Sequence, residues 1–378
     1  MPEYYDIIVI GAGIAGCCSA YTLQQKGQNV LLVDRSAVAA SGGSGAAGAF
    51  VSPKIGKGSP LQTLTNEAFD FAKDFYVKHF PKYFHKTGVI RIPKDHEDAL
   101  KFKIYEPFNA SLYRWVDKVA LEEYGIQNSE ESFLFEEAGV CDAPELCKVI
   151  QKKVKFKQFD VKKLEFNGDN WTLLNAQNSE LNAKNIVLST GYQNELFDMR
   201  YMGAKGTWGS RGDYKSTLDL EVSMHKNISV SANVGGIIKI GATHVKSKEP
   251  CMLCDGEPLK GLFETASQMV DTSDFILKET FCGMRSGSKD YFPLVGKVID
   301  VPYMLDEYPL ITRGAKPELK YIYNLFICNG LGGRGFVFAP YMAELLAEAI
   351  VEGKEMDGRV NPDRLFLKWC RKSEELKR

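Results

Sequence analysis

Residues 6–16 read DIIVIGAGIAG, and residues 29–34 read NVLLVD. The unbroken apolar run Ile7–Ile10 suits a strand buried on both faces, the kind a parallel sheet covered by helices requires. Gly11, Gly13 and Gly16 follow in a G-x-G-x-x-G spacing that opens a helix expected over Ala15–Lys26 and stopped at Gly27. Asn29–Asp34 then reads as a second strand, so the segment is one βαβ unit. The first glycine makes the turn, the second lets backbone N–H groups approach a pyrophosphate, and the third lets helix and strand pack. The helix N-terminus favours negative charge. Asp34, 18 residues after Gly16, stands where a carboxylate accepts hydrogen bonds from ribose hydroxyls.

That fingerprint is common to FAD and NAD sites, and two further stretches decide for flavin. Ala39–Gly48, AASGGSGAAG, directly follows Asp34, where small residues let backbone come close to a nucleotide. Near the other end, Gly330, Gly332, Gly333 and Gly335 form a second glycine-rich turn ahead of a helix expected over Ala339–Glu352. A helix N-terminus there stabilises negative charge on the pyrimidine side of a reduced isoalloxazine. The candidate cofactor residues are therefore Gly11, Gly13, Ile14, Ala15, Gly16, Asp34, Arg35, Ala40, Ser41, Gly42, Gly48, Thr190, Gly191, Gly330, Gly332, Gly333, Arg334 and Gly335. No second dinucleotide fingerprint occurs, which argues against reduction by a bound NAD(P)H domain.

The expected fold class is α/β: a Rossmann-type FAD-binding domain with an inserted, mainly antiparallel β-sheet substrate domain. Leu64, Ala68, Phe71 and Phe75 recur at helical spacing within Leu61–His79. Residues 83–140 are aromatic-rich and lose the βαβ pattern. Pro144–Lys153 reads as a helix, and Asn185–Ser189 as a buried strand ending at Thr190 and Gly191. Strand-like segments such as Gly235–Thr243 follow, then the strand Leu325–Cys328. These changes divide the chain into cofactor-binding parts at 1–82, 141–200 and 285–378 and substrate-binding parts at 83–140 and 201–284.

The composition is that of an ordinary globular protein, with 44% hydrophobic and 25% charged residues and a net charge of −1. No run of eighteen apolar residues is present, so no membrane partner is expected and the reading is cytoplasmic. The nine cysteines show no even framework, and structural disulfides are not expected. Cys251 and Cys254, with only His244 nearby, fall short of a zinc ligand set, so no metal is expected. The near-neutral charge argues against non-specific binding to nucleic acid but leaves room for a local basic face. Lys148, Lys152, Lys153, Lys155, Lys157, Lys162 and Lys163 form such a run, with a solvated face as the plainer explanation.

In CGMRSGSKDYFPLVG (Cys282–Gly296), Arg285 stands among small residues and turns. A guanidinium binds a carboxylate through two parallel charge-assisted hydrogen bonds, fixing position and plane, and Arg285 is the candidate for that task. Asp290 is the candidate for holding the loop. Tyr192, Trp208 and His244 are candidates for bordering a substrate pocket.

DIIVIGAGIAG, the ASG at Ala40–Gly42, the pattern G-x-R-x-x-x-x-D-x-x-P-x-x-G at Gly283–Gly296 and GLGGRGFVFAP at Gly330–Pro340 resemble the D-amino-acid-oxidase and glycine-oxidase superfamily nearly end to end. Within it, NEAFDFAKDFY (Asn66–Tyr76), LGGRGFVFAPYMAELLA (Leu331–Ala347) and NPDRLFLKW (Asn361–Trp369) are most similar to the FAD-dependent oxidoreductase half of the bifunctional enzymes that build 5-methylaminomethyl-2-thiouridine in tRNA. The resemblance implies FAD as cofactor and tRNA, at its modified wobble uridine, as substrate. It implies oxidative removal of a carboxymethyl group as glyoxylate from 5-carboxymethylaminomethyluridine, with Arg285 on the carboxylate. The chain begins at the flavin fingerprint, so methylation of the product is expected from a separate methyltransferase. Lys205, Arg211 and the lysine run are candidates for RNA phosphates. The alternative is an oxidase of glycine, sarcosine or a D-amino acid, which would share fingerprint and arginine.

Overall fold

The computed structural model describes residues 4–128, 130–192, 195–245 and 256–376. Cys251 and Cys254 lie outside them. The first strand, β1 (Tyr4–Ile10), leads through the glycine turn into helix α1 (Ile14–Gln25) and the second strand, β2 (Val30–Asp34). The two strands pair in parallel, with Ile8 opposite Leu31 and Val9 opposite Leu32. On its other side β1 pairs in parallel with the strand Glu180–Leu188, Val9 facing Val187. The sheet continues in parallel to Lys155–Gln158 beyond β2 and to Tyr321–Asn329 beyond Glu180–Leu188.

The pleat explains why β1 shows no polar alternation. Ile7 and Val9 enter one core, with α1 and the helix α2 (Pro60–His79). Ile8 and Ile10 enter the other, with Tyr201, Phe366 and Leu188. Both faces are covered, and each such side chain contributes about 1.5–3 kcal/mol on burial.

A second, eight-stranded sheet is built from two separate stretches of chain. Ile276–Gly287, Lys205–Lys215, Ile237–Gly241, Ser229–Val230 and Ser223–His225 join Val89–Arg91, Ser132–Phe135 and Arg114–Val116, in that order. All its pairs are antiparallel except Ser223–His225 with Val89–Arg91. The chain is thus an α/β protein with a Rossmann-type sheet and a mainly antiparallel one. The strand Ile276–Gly287 runs through the 284/285 position at which the second region is expected to end, so Arg285 sits on the antiparallel sheet.

Three local expectations are corrected. The helix near the C-terminus begins at Gly335 rather than Ala339, runs as α-helix to Ala347, through Pro340, and continues as a π-helix to the expected end at Glu352. Pro340 has no N–H for the Phe336 carbonyl, and the buried Tyr76 hydroxyl donates to that oxygen at 2.8 Å instead. Arg211 is not at the surface: it is 1% exposed, pairs with Asp213 and donates to the Ala47 carbonyl, so it clamps the small-residue segment rather than meeting RNA. Cys282 is disulfide-bonded, a pairing that spacing along the chain could not show, whereas Cys17, Cys18, Cys141, Cys147, Cys328 and Cys370 are free and buried. Among the described residues, no helix is long and apolar enough to cross a membrane, and no cluster of three or more metal-ligating side chains occurs.

Candidate active site

One cavity of about 880 Å³ runs from the end of β2, past the N-terminus of α1, to the N-terminus of the helix Gly335–Ala347 and the Arg285 strand. Gly11, Gly13, Ile14 and Ala15 line it at the α1 end, and Asp34 and Arg35 line it beyond. Gly11 has φ +107°, and a side chain there would strike the Ser189 backbone. Gly16 is not in the wall: a Cβ at 16 would overlap the Gly11 carbonyl, so this glycine closes helix on strand. The N-terminus of α1 carries no acidic residue in its first turn, and the Ile14 N–H donates to Ser44 Oγ at 2.9 Å. Ser44 thus holds a hydroxyl where the helix end favours an anion.

Asp34 accepts from the Ala12 N–H at 2.7 Å through Oδ2 and from the Ser36 N–H at 2.8 Å through Oδ1. Each carboxylate oxygen keeps a further lone pair for a ligand hydroxyl. Of the small-residue segment, Ser41, Gly42, Gly43, Ser44, Ala47 and Gly48 line the cavity. Ala40 does not; it adopts φ +64° and its N–H donates to the Ala12 carbonyl, which ties the segment to the glycine turn.

The C-terminal turn reaches the same cavity because Tyr321–Asn329 extends the β1 sheet. Asn329 Nδ2 donates to the Gly191 carbonyl at 2.8 Å, and Asn329 Oδ1 accepts from the Gly330 N–H. Thr190, Gly191, Gly332, Gly333, Arg334 and Gly335 line the wall, whereas Gly330, at φ +71°, packs against Leu294 behind it. The residues present fit a dinucleotide flavin. The glycine cradle, a helix N-terminus at each end of the cavity, and the buried Thr190 and Ser286 hydroxyls, which have no partner among the described residues, all belong to this wall.

Arg285 and His244 line the cavity together. Arg285 Nη1 donates to the Thr243 carbonyl at 3.1 Å and to His244 Nδ1 at 3.0 Å. No protein acceptor takes Nε or Nη2 among the described residues, which leaves one edge of the fork for a carboxylate. Because a guanidinium has no acceptor, the imidazole accepts at Nδ1 and carries its proton at Nε2. Burial, and then Arg285, hold His244 below its ordinary pKa, so the ring is neutral at pH 7. Burial lowers the Arg285 guanidinium.

Asp290 holds the loop after Arg285, as its place in the motif implies: Arg364 Nε donates to it at 2.9 Å and Arg364 Nη2 at 3.0 Å. The NPDRLFLKW segment thereby fastens the turn that follows Arg285. Tyr192 is not in the cavity wall; its ring lies beside Gly206 and Met284. Trp208 is buried in the sheet. Of the lysine run, Lys148 and Lys163 pair with Glu145 and Glu165 on the exposed surface, while Lys162 pairs with Asp160 where both line the cavity. Sequence reading missed Ser44, Asn329, Lys54, Arg91 and His225. Ser44 is indistinguishable in sequence from its small neighbours, Asn329 faces the cavity from the end of the β1 sheet, and Lys54, Arg91 and His225 reach it from elements far apart in the chain.

A family model described as FAD dependent oxidoreductase matches residues 6–349. The chain is 24% identical to the tRNA 5-methylaminomethyl-2-thiouridine biosynthesis bifunctional proteins MnmC of Shewanella amazonensis and Legionella pneumophila (strain Lens), over 98% and 92% of its length. It spans 61% and 54% of those two relatives. Its fold is similar to that of glycine oxidase from Bacillus cereus, with a TM-score of 0.77, 18% identity and coverage of 93% of this chain and 96% of that one. Iminodiacetate oxidase from Chelativorans sp. BNC1 gives a TM-score of 0.76 at 16% identity, covering 94% and 98%. The matched residues include both the fingerprint and the C-terminal glycine turn, and the chain belongs to the FAD-dependent oxidoreductases of the D-amino-acid-oxidase type.

Proposed function

We propose that this enzyme oxidises the C–N bond of a carboxymethyl amine, and that the amine is the 5-carboxymethylaminomethyl group of uridine or 2-thiouridine at the tRNA wobble position. The observation that carries the amine reading is the free edge of the Arg285 fork at the cavity wall, with His244 held neutral beside it. Likeness to the tRNA-modifying relatives, including NPDRLFLKW, supports the RNA end of the reading.

In this reading Asp34 and Arg35 meet the adenosine end of FAD, the α1 N-terminus with Gly11, Gly13 and Ser44 meets the pyrophosphate, and Gly332–Gly335 meets the ring system. Bound flavin supplies a two-electron acceptor. Arg285 fixes the carboxylate in position and plane, which removes rotational freedom from the carbon next to it. Loss of hydride from that carbon leaves an iminium to the amine nitrogen. Water adds to the iminium carbon, the C–N bond breaks, and glyoxylate departs while the aminomethyl group stays on uridine. The product is then the substrate of a methyltransferase.

The amine nitrogen must be unprotonated to release hydride, so kcat/KM rises with pH through the amine's pKa. No strong protein base is obligatory. Of the acids that line the cavity, Asp34 accepts from two backbone N–H groups, Asp160 pairs with Lys162, and Glu195 is exposed. Anaerobic mixing of holoenzyme with 5-carboxymethylaminomethyluridine tests the reading: the flavin absorbance bleaches and glyoxylate appears in equal amount. Bleaching by glycine, sarcosine or a D-amino acid but not by the nucleoside or its tRNA would assign the enzyme to small amines instead.

A further inference from the structure

Lys54, Arg91 and Arg334 line the same cavity and come from three separate elements. Lys54 follows the short strand Phe50–Val51, Arg91 ends the strand Val89–Arg91 of the antiparallel sheet, and Arg334 closes the turn before Gly335. Arg334 donates from Nη1 to the Ser52 carbonyl at 3.0 Å, a neutral acceptor. Neither the Lys54 ammonium nor the Arg91 guanidinium makes a hydrogen bond or ion pair among the described residues. The three charges repel one another: burial, then Arg334, pull Arg91 down to about 9, and burial, then Arg334 and Arg91, lower Lys54. Asp98 offsets Arg91 less than Arg334 opposes it. His225 next to them is pushed below its ordinary value by burial first, then by Arg91 and Arg334, and adds no negative charge.

Cations gathered in a partly desolvated wall without a carboxylate partner are costly unless a ligand brings the anion. The pyrophosphate and the substrate carboxylate are already matched by the α1 N-terminus and Arg285. Negative charge on a reduced flavin is matched by Arg334 and the helix that begins at Gly335. Lys54 and Arg91 remain. We propose that Lys54 and Arg91 form a second anion subsite in the active-site cavity, which takes a backbone phosphate of the nucleotide whose side chain is oxidised. The inference rests on the proposed nucleotide substrate; on that substrate, the anions other than the carboxylate are phosphates. Such a subsite makes the enzyme prefer a nucleotide within a chain over the free nucleoside, and gives that preference a salt dependence.

The test compares holoenzyme with Arg91→Met, Arg91→Lys and Lys54→Met on two probes, 5-carboxymethylaminomethyluridine and its 3′,5′-bisphosphate. The expected ratio of kcat/KM, bisphosphate over nucleoside, is about tenfold or more, as one charge-assisted contact provides. Arg91→Met and Lys54→Met lower that ratio toward one, mainly through KM, and Arg91→Lys restores part of it. A ratio that stays unchanged in Arg91→Met and Lys54→Met overturns the subsite, as does loss of flavin from Arg91→Met. A second readout does not depend on turnover: inorganic phosphate titrated into the oxidised holoenzyme perturbs the flavin absorbance, and Arg91→Met weakens the apparent affinity about tenfold. If phosphate binds through Arg91 while neither nucleoside nor RNA is oxidised, the subsite stands and the substrate reading fails. If instead iminodiacetate outcompetes phosphate there and is oxidised, the subsite serves a second carboxylate and the phosphate assignment is overturned.

Discussion

The guanidinium of Arg285 lies across Gly209: a methyl group at 209 would stand 2.7 Å from its Cζ and 2.9 Å from its Nη1, and closer still to Nη2. Gly209 is on Lys205–Lys215, paired with the Arg285 strand through Gly283. The missing side chain leaves room for the fork to lie flat on the sheet, with Nη1 on Thr243 and His244. Gly209→Ala therefore displaces the arginine without removing it. A hydrogen bond to a charged group contributes about 1.5–3 kcal/mol, so KM for a carboxylate substrate is expected to rise about tenfold or more. Steady-state kinetics with flavin content measured on the same sample checks this; an unchanged KM would separate Arg285 from the substrate.

The Tyr76 hydroxyl and Pro340 form a compensating pair through the Phe336 carbonyl. Tyr76→Phe leaves that buried acceptor unpaired, at a cost of about 1–3 kcal/mol. In Pro340→Ala the helix supplies its own N–H to Phe336, so Tyr76→Phe is expected to cost less in that background. Urea midpoints of the four proteins check the coupling, and additive effects would refute it.

Asp34 is expected to decide flavin retention. Asp34→Asn keeps one oxygen for the Ala12 or Ser36 N–H but loses the charge and one acceptor. Flavin dissociation is expected to be about tenfold or more easier, in line with one charge-assisted hydrogen bond, while the protein stays folded. Flavin fluorescence released into an ultrafiltrate, beside a circular dichroism spectrum, measures both.

His225 and His244 both have folded pKa values below 6.5. The unfolded chain then binds more protons than the folded one in the interval from each folded value up to 6.5, so stability rises with pH there. Their contribution is complete above 6.5 and is lost as the pH falls through that interval. Protonated His244 also turns an Nδ1–H toward Arg285 Nη1, so KM is expected to rise over the same acid range. His225→Asn and His244→Asn should each flatten the acid side of the stability profile; a slope unaltered in both would contradict the neutral assignment.

The sequence made the cofactor half of the site legible because its signals are local. Gly11, Gly13, Gly16 and Asp34 act within one βαβ unit, and their spacing is dictated by turn, helix and strand. Arg285 was legible through its motif. Its seat on Gly209 was not, because a glycine 76 positions earlier in another strand carries no mark of what it faces. Lys54 and Arg91 were invisible for the same reason: Lys54 follows a strand of a small three-stranded sheet, Arg91 ends a strand of the antiparallel sheet, and no short window contains both. Arg211 misled in the opposite sense, since an arginine in a polar-looking strand is usually solvated, whereas Asp213, Ala47 and Phe281 enclose this one. Tyr192 follows Gly191 directly, yet its ring turns toward Gly206 rather than into the cavity.

The central claim is that the carboxymethyl amine held by Arg285 belongs to a wobble uridine. Nucleoside analysis of tRNA carrying 5-carboxymethylaminomethyl-2-thiouridine, before and after incubation with the holoenzyme, addresses it directly. That nucleoside is expected to disappear and 5-aminomethyl-2-thiouridine to appear in equal amount, with glyoxylate released. Unchanged tRNA nucleosides from an enzyme that turns over free glycine would contradict it.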